Sequence, residues 1–134
     1  MTRELFTILS PEELKNWIIH PNSTNKFIVI DVRTSDYLYG KIPQSVNYPS
    51  NTFGLKTIDK ILDNWKWEDG YKYVFHCMRS EVRGPKSLAK FITSLKNIYG
   101  IDNINDQLKD RCYLLKGGLK LWNEKYGDVL LEEI

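Results

Sequence analysis

The sequence predicts an α/β domain with a mostly parallel central sheet and helices on both of its faces. Short apolar segments typical of strands alternate with segments whose apolar residues recur every three to four positions, as in amphipathic helices. The run Phe27-Ile28-Val29-Ile30 contains no polar residue, as expected of a strand covered on both faces. The length of 134 residues, of which 42% are hydrophobic, suits one core, so we expect residues 1–134 to form a single domain.

The first elements are a short strand and a capped helix. The apolar segment 6–9 predicts the strand. Ser10-Pro11-Glu12-Glu13 then reads as a capping box with proline in the first turn. Leu14, Trp17 and Ile18 form the apolar stripe of the helix, and the polar segment 21–25 predicts the loop that follows it.

The middle of the chain predicts a buried strand, a turn-rich crossing and a second helix. The strand lies within residues 26–33. The segment from Gly40 to Pro49 contains a glycine and two prolines, with a short strand predicted at residues 46–48. The apolar positions of the second helix are Leu55, Ile58, Ile61, Leu62 and Trp65.

The second half repeats the alternation. Residues 71–75 predict a strand, and residues 112–115 predict another. The two helical stripes are Leu88, Phe91, Ile92 and Leu95, and then Leu119, Trp122 and Tyr126. Because ligands bind at the carboxyl ends of parallel strands, we expect the chemistry near Asp31 or His76.

Composition and charge exclude several classes of protein. Nineteen basic and seventeen acidic residues leave a charge of +2, too small to predict a nucleic-acid partner. Two cysteines are too few for a disulfide-rich secreted scaffold, no apolar run is long enough to predict a membrane span, and the first six residues do not resemble a signal peptide. We therefore expect a cytoplasmic protein, or one both cytoplasmic and nuclear, with reduced thiols. The oligomeric state is left open.

The functional prediction depends on the segment after the strand at 71–75. It reads His76-Cys77-Met78-Arg79-Ser80-Glu81-Val82-Arg83-Gly84-Pro85, which places Cys77 on a turn between a buried strand and a helix that begins near Arg83. The N–H groups of such a turn and the positive end of the helix dipole stabilise an anion, including a thiolate. Cys77 is therefore the predicted nucleophile.

The same turn predicts an oxyanion site. The planar guanidinium of Arg83 matches two oxygens of a tetrahedral anion, and the loop N–H groups supply further donors. The predicted substrate-binding residues are Met78, Arg79, Ser80, Glu81, Val82 and Arg83. A thiol in such a cradle is suited to attack on phosphorus or on a similar oxyanion. Two isolated histidines without a Cys-x-x-Cys or His-Glu-x-x-His pattern predict no metal, and no cofactor is expected.

Roles are also predicted for five other residues. Four of them have two possible roles, and Arg33 has a structural one. His76 orients the loop through hydrogen bonds or stabilises the cysteine thiolate. Asp31 supports the loop or transfers a proton, and Arg33 is expected to form a structural ion pair. Arg79 selects anionic substrates or is an exposed charge without function. Cys112 is expected to pack in the core, with a resolving thiol as the alternative.

The Cys77 loop resembles the active-site loops of two families of the rhodanese-like fold. His76-Cys77, five residues, and Arg83-Gly84-Pro85 are similar to the loops of the M-phase inducer (dual-specificity) phosphatases and of the small fungal arsenate reductases. Ser80 matches a serine that these loops often carry.

Two further segments resemble signatures of rhodanese-like domains. Ile30-Asp31-Val32-Arg33 followed by Gly40-Lys41-Ile42 is similar to their Asp-x-Arg and Gly-His-Ile motifs, although Lys41 replaces the usual histidine. Leu115-Lys116-Gly117-Gly118-Leu119 with Trp122 is similar to their Gly-Gly-Phe-x-x-Trp element. The matches occur in order and span residues 5–126.

The resemblance implies a cysteine-dependent phosphatase that acts on phosphotyrosine or phosphoserine/threonine proteins through a cysteinyl-phosphate. The alternative is an arsenate reductase that takes a small oxyanion and uses glutathione and glutaredoxin as reductant. Thiosulfate sulfurtransferases of this fold typically have a loop one residue shorter, which disfavours sulfur transfer. A non-catalytic anion-binding module is disfavoured because Cys77 and Arg83 are both present.

The sequence also departs from the phosphatase pattern. Met78 and Val82 stand where M-phase inducer phosphatases have a glutamate, so the acid that protonates the leaving group is unassigned, with Glu81 as a candidate. Val32 stands where some relatives have a cysteine that forms an internal disulfide.

Overall fold

A single parallel sheet forms the centre of the computed structural model, which describes residues 5–22 and 25–134. Its strands are Thr7–Leu9 (β1), Phe27–Asp31 (β2), Val46–Asn47 (β3), Lys72–His76 (β4) and Cys112–Leu115 (β5). Their order is β1-β5-β4-β2-β3, and every pair is parallel. β2 and β4 are therefore neighbours, and Asp31 lies opposite His76 at their carboxyl ends.

Helices cover both faces of the sheet. They are Pro11–Ile19 (α1), Leu55–Asn64 (α2), Arg83–Tyr99 (α3), Ile101–Ile104 (α4), Leu108–Arg111 (α5) and Gly118–Tyr126 (α6). Apolar residues of α2 to α5 belong to one core cluster, and those of α1 and α6 to another on the opposite face. The predicted α/β class with helices on both faces is confirmed.

The two central strands are buried because their side chains alternate between these two clusters. In β2, Ile28 and Ile30 pack in the first cluster and Val29 in the second. In β4, Tyr73 packs in the first and Val74 in the second. This alternation explains why both strands read as continuous apolar runs. It also holds the carboxyl ends of β2 and β4 in a fixed register.

Local signals set the predicted helix starts. The Ser10 hydroxyl accepts a hydrogen bond from the Glu13 N–H at 3.1 Å, and Pro11 occupies the first turn of α1. α3 begins at Arg83, as predicted, and ends at Gly100, whose φ of +84° disfavours other residues.

Two segments differ from the sequence prediction. Leu55 is 74% exposed rather than buried, because it begins α2, whereas Ile58 and Ile61 are buried further along the helix and Leu62 packs against the same core cluster. No element was predicted between residues 100 and 111, where α4 and α5 are each four residues long. Helices this short contain no periodic apolar stripe.

Parts of two other predictions lie outside the described residues. These are residues 1–4, at the start of the chain, and residues 23–24, within the predicted loop 21–25. Among the described residues, no helix is both long enough and apolar enough to cross a membrane.

Candidate active site

The segments that follow β2 and β4 meet at the carboxyl edge of the sheet, where the sequence placed the chemistry. A cavity of about 300 Å³ lies between them. It is lined by Asp36, Cys77, Met78, Arg79, Glu81, Val82 and Arg83. The cavity thus brings together the predicted nucleophile and five of the six other predicted loop residues with one acidic residue, Asp36, that sequence reasoning missed. Ser80, the sixth predicted loop residue, is not part of its lining.

Cys77 is held against the first turn of α3. Its side chain is buried, with the residue 3% exposed, and its Sγ accepts a hydrogen bond from the Gly84 N–H at 3.3 Å. Gly84 permits this approach, since a Cβ there would lie 3.2 Å from Leu114 Cδ1 and 3.5 Å from Sγ. The N-terminal N–H groups of a helix stabilise negative charge, so this contact places Cys77 Sγ where an anion is stabilised.

The backbone of the Cys77 loop has two features of an anion nest, a left-handed residue and unengaged N–H groups. Ser80 adopts the left-handed conformation, with φ of +58°. Across the described part of the chain, the N–H groups of residues 78–83 donate to no protein acceptor. Successive N–H groups in a loop with a left-handed residue form the concave donor sets that bind anions. The loop therefore has free donors beside the cysteine.

The N-terminus of α6 orients this loop. The Leu119 N–H donates to the Cys77 carbonyl at 3.1 Å, and the Lys120 N–H donates to the Met78 carbonyl at 2.9 Å. In a trans peptide the carbonyl and the N–H point in opposite directions. The N–H groups of Met78 and Arg79 consequently point away from α6.

Gly118 makes this contact possible. It has φ of +60°, and a Cβ there would lie 2.5 Å from the carbonyl oxygens of both Cys77 and Met78. A side chain would therefore push the loop off α6. The close approach gives a physical reason for the Gly-Gly pair noted in the sequence.

The guanidinium of Arg83 is engaged by a residue that sequence reasoning missed. Its Nη1 and Nη2 donate to Oδ1 and Oδ2 of Asp36, both at 2.6 Å, and Nη1 also donates to Thr34 Oγ1 at 3.3 Å. Hydrogen bonding from Arg83 lowers the pKa of Asp36 to about 2. The same bond, with a smaller contribution from Cys77, raises the pKa of Arg83. The sequence predicted that this guanidinium binds the oxyanion. In the structure one of its edges binds Asp36 instead.

Asp31 and Arg33 form a fully buried ion pair, as expected for Arg33. The Nη2 of Arg33 lies 2.7 Å from Asp31 Oδ2, and Nε donates to the same oxygen at 2.9 Å. Both side chains are 0% exposed, and Asp31 does not line the cavity. This geometry supports the structural role of Asp31 rather than proton transfer.

His76 is buried and neutral. Its Nδ1 lies 2.9 Å from the Cys77 carbonyl, so Nδ1 carries the proton and donates it. Its Nε2 makes no hydrogen bond with any described residue and lies 3.8 Å from Asp31 Oδ2. Burial lowers the pKa of His76, against the opposing effect of Asp31. A neutral imidazole brings no charge to a thiolate, so the geometry supports loop orientation.

Cys112 lies away from the site. It is beside Tyr73 in the sheet, four residues before Cys77 along β4, which corresponds to roughly 13 Å of strand. Burial raises the pKa of its thiol to about 12, and a disulfide cannot span that separation. Core packing, the favoured prediction, accounts for Cys112.

The other predicted loop residues differ in exposure. Arg79 and Glu81 are exposed at the cavity, and Val82 is 62% exposed. Met78 packs against the α1/α6 core cluster. Ser80 is 8% exposed, and its Oγ has no partner among the described residues.

Asp36 and Thr34 were missed because their sequence signal is weak. They lie in the loop after β2, where nothing in the spacing distinguishes Asp36 from other loop carboxylates. The useful signal was topological: adjacent parallel strands end at the same edge, so the loop after β2 faces the loop after β4.

Comparison with known proteins agrees with this architecture. A family model for the rhodanese-like domain matches residues 10–125. The dual specificity phosphatase ibp1 of Schizosaccharomyces pombe is 33% identical over 128 residues, which cover 89% of each chain. The CDC25-like phosphatase YCH1 of Saccharomyces cerevisiae is 31% identical over 132 residues, covering 90% of this chain and 83% of the relative.

Among solved structures, an As-Sb reductase from Leishmania major is similar over 96% of this chain and 86% of its own. The TM-score is 0.80 and the sequence identity is 31%. The resemblance predicted from the motifs is therefore confirmed by both sequence and structure. The chain belongs to the rhodanese-like family.

Proposed function

We propose that this protein is a cysteine-dependent phosphatase that hydrolyses phosphotyrosine or phosphoserine/threonine in proteins. The observation that carries the proposal is the position of Cys77 Sγ, which accepts the Gly84 N–H at the start of α3 beside a loop of free N–H donors. The similarity to proteins named dual specificity and CDC25-like phosphatases supports the same reaction.

The reaction takes two displacements at phosphorus. The Cys77 thiolate attacks the phosphoryl group, the S–P bond forms, and the P–O bond to the leaving group breaks. Loop N–H groups and the Arg83 guanidinium hold the phosphoryl oxygens and stabilise the charge of the transition state. Water then attacks phosphorus, the S–P bond breaks, and inorganic phosphate leaves.

The proton for the leaving group has one remaining candidate among the carboxyls that line the cavity. Both carboxylate oxygens of Asp36 accept hydrogen bonds from Arg83, which lowers its pKa to about 2, so Asp36 cannot hold and deliver a proton. Glu81 lines the same cavity and is exposed. Glu81 therefore remains the candidate for this role, although an aryl leaving group departs without such help.

A second candidate reaction is the reduction of arsenate. Arsenate has the size and charge distribution of phosphate, so the same donors would bind it. The Cys77 thiolate would displace water from arsenate and form an S–As bond, and a glutathione thiol would displace a second water from arsenic. A glutaredoxin thiol would then attack the glutathione sulfur, so that the mixed disulfide leaves and its two electrons reduce arsenic to As(III). Hydrolysis of the Cys77–arsenic bond would release arsenite and restore the thiol. The structural similarity to the As-Sb reductase favours this alternative.

Three assays of the same purified proteins separate these reactions. Wild type, Cys77→Ser and Cys112→Ser are compared in hydrolysis of p-nitrophenyl phosphate, hydrolysis of a phosphotyrosine peptide, and arsenate reduction with glutathione and glutaredoxin. We expect Cys77→Ser to lower phosphatase kcat/KM by a factor of about 10³ or more. Cys112→Ser is the matched control, and it retains activity because its thiol lies outside the site.

The outcomes distinguish the candidates. Phosphatase activity that survives Cys77→Ser contradicts a thiol nucleophile. Arsenate reduction without phosphatase turnover makes the protein an arsenate reductase. Binding of phosphate without turnover of any substrate assigns a non-catalytic anion-binding module.

A further inference from the structure

Arg83 has five N–H donors, and three of them donate to oxygen acceptors within the described part of the chain. A guanidinium carries one hydrogen on Nε and two on each terminal nitrogen. Both Nη1 hydrogens are engaged, one by Asp36 and one by Thr34, and one Nη2 hydrogen is engaged by Asp36. Nε–H and the second Nη2–H donate to no oxygen acceptor of the described residues. These two hydrogens form the parallel pair of donors along the other edge of the guanidinium.

That remaining edge matches an oxyanion. Two parallel N–H donors are the arrangement that binds two oxygens of a phosphate or a similar anion. Arg83 and Cys77 line the same cavity, and the contribution of Cys77 to the raised pKa of Arg83 agrees with their proximity. Asp36 therefore occupies the distal edge of the fork, between Nη1 and Nη2, and leaves the Nε/Nη2 edge available for an oxyanion.

We propose that Asp36 is a positioning residue that grips the distal edge of Arg83 and presents its Nε and Nη2 donors to the oxyanion bound at Cys77. The proposal rests on the proposed function, since it assigns how the same site holds its substrate. Thr34 supports the grip through its hydroxyl. Without the contacts of Asp36 and Thr34, the long Arg83 side chain would sample many rotamers at the mouth of the cavity.

Asp36 is itself held in place. Its Oδ1 accepts the Thr34 N–H at 3.1 Å, and its backbone carbonyl accepts a hydrogen bond from Nη1 of buried Arg33 at 3.2 Å. Arg33 also donates to the carbonyls of Leu38 and Gly40 in the same loop. The chain of contacts runs from the buried ion pair of β2 through this loop to Arg83. These contacts are all made by groups of the protein itself, as preorganisation requires.

The alternative role for Asp36, competition with the substrate, predicts the opposite change in anion affinity. A carboxylate at the rim of an anion site repels the substrate and competes for the same guanidinium. If competition were its main effect, Asp36→Asn would tighten anion binding by removing one negative charge. If Asp36 positions Arg83, the same substitution weakens anion binding in spite of the more favourable charge.

The test measures anion binding and turnover separately. Orthovanadate protection of Cys77 from iodoacetamide reports binding without requiring catalysis, and hydrolysis of p-nitrophenyl phosphate reports turnover. We expect Asp36→Asn to raise the vanadate concentration for half-protection about tenfold and to lower kcat/KM about tenfold or more. Unchanged or tighter vanadate binding would overturn the proposal.

A double mutant separates positioning from a general structural effect. In an Arg83→Lys background the fork is gone, so Asp36→Asn should cause no further loss, whereas independent effects would multiply. A multiplied loss overturns the proposal. Glu12→Gln is the matched control. It removes a carboxylate that forms an ion pair with Lys125 at 2.9 Å, and Glu12 does not line the cavity. It should leave both readings unchanged.

Two further results keep the inference distinct from the proposed function. Suppose that the wild type hydrolyses neither p-nitrophenyl phosphate nor the phosphotyrosine peptide, that vanadate still protects Cys77, and that Asp36→Asn weakens this protection. The proposed function then fails and the positioning role stands. If vanadate does not protect the wild type, both fail. Should Asp36→Asn not fold, Asp36→Glu is used; moving the carboxylate by one methylene should weaken vanadate protection with the charge kept, and unchanged protection would overturn the proposal.

Discussion

At the scale of single residues, burial decides what a side chain can do at this site. His76 and Asp31 stand side by side at the ends of β4 and β2, and both are fully buried. Arg33 binds the Asp31 carboxylate directly, whereas burial, with a smaller contribution from Arg33, lowers the pKa of His76 and keeps its imidazole neutral. The same burial that removes His76 from thiolate chemistry makes it a fixed support for the loop.

The neutral state of His76 predicts a pH-dependent stability. Its pKa is lowered in the folded protein, whereas an unfolded histidine titrates near 6.5. The unfolded chain therefore takes up the proton first, so the stabilisation is complete above about pH 6.5 and is lost as the pH falls below it. Between pH 7.5 and 5.5 the wild-type Tm should fall roughly 4 °C more than that of His76→Asn.

Thermal unfolding followed by circular dichroism at both pH values measures this difference. Asn keeps an N–H donor near the position of Nδ1 but does not titrate. His20→Asn, which removes an exposed imidazole, is the matched control and should follow the wild type. Equal pH dependence in wild type and His76→Asn would contradict a buried neutral His76.

At the scale of elements, the site depends on how α6 meets the Cys77 loop. The first N–H groups of α6 bind two loop carbonyls, and Gly118 leaves the space for them. The helix thus orients the loop donors without contributing a side chain to the cavity. Helix N-terminal N–H groups need partners, and this loop supplies them.

Gly118→Ala should therefore disturb the loop as well as the helix. Its Cβ would meet both loop carbonyls, and we expect kcat/KM to fall about tenfold or more. Gly70→Ala is the control, because Gly70 also has a positive φ, +86°, but open space around a Cβ. Both substitutions should cost at least about 1 kcal/mol of unfolding free energy from the left-handed backbone, and activity should fall only in Gly118→Ala. Full activity in Gly118→Ala would contradict the role of the α6 N-terminus in orienting the Cys77 loop.

At the scale of the whole molecule, one sheet joins two core clusters. Phe91 belongs to the cluster under α3, and Trp122 to the cluster under α6, and both are 0% exposed. Each strand of the centre contributes side chains to both clusters. The two faces should therefore unfold together.

Phe91→Ala and Trp122→Ala should each cost about 3–5 kcal/mol. Because the clusters share one sheet, each substitution should move the midpoint of a single urea transition without changing its slope. Leu55→Ala is the control, since Leu55 is 74% exposed, and its effect should stay within about 0.5 kcal/mol. Tryptophan fluorescence and far-UV circular dichroism measure the transition, and separate midpoints for the two signals would contradict a common unit.

Short-range patterns were enough to predict most of the architecture and the centre of the site. Strand and helix periodicities and the Ser10 cap act within a few residues, so they are legible along the chain. The same holds for the spacing from Cys77 to Arg83, which one turn connects. α4 and α5 lacked such a pattern because four residues are too few to repeat one.

Patterns along the chain suffice to predict the α/β class, the order of the main elements and the presence of a cysteine and an arginine on one loop. Folding is needed to bring Asp36, 47 residues before Arg83, onto its guanidinium and to bury His76 as a neutral imidazole. These outcomes depend on which loops meet across adjacent strands and on how much water each group loses. Distance and desolvation are properties of the packed molecule, and no local pattern encodes them.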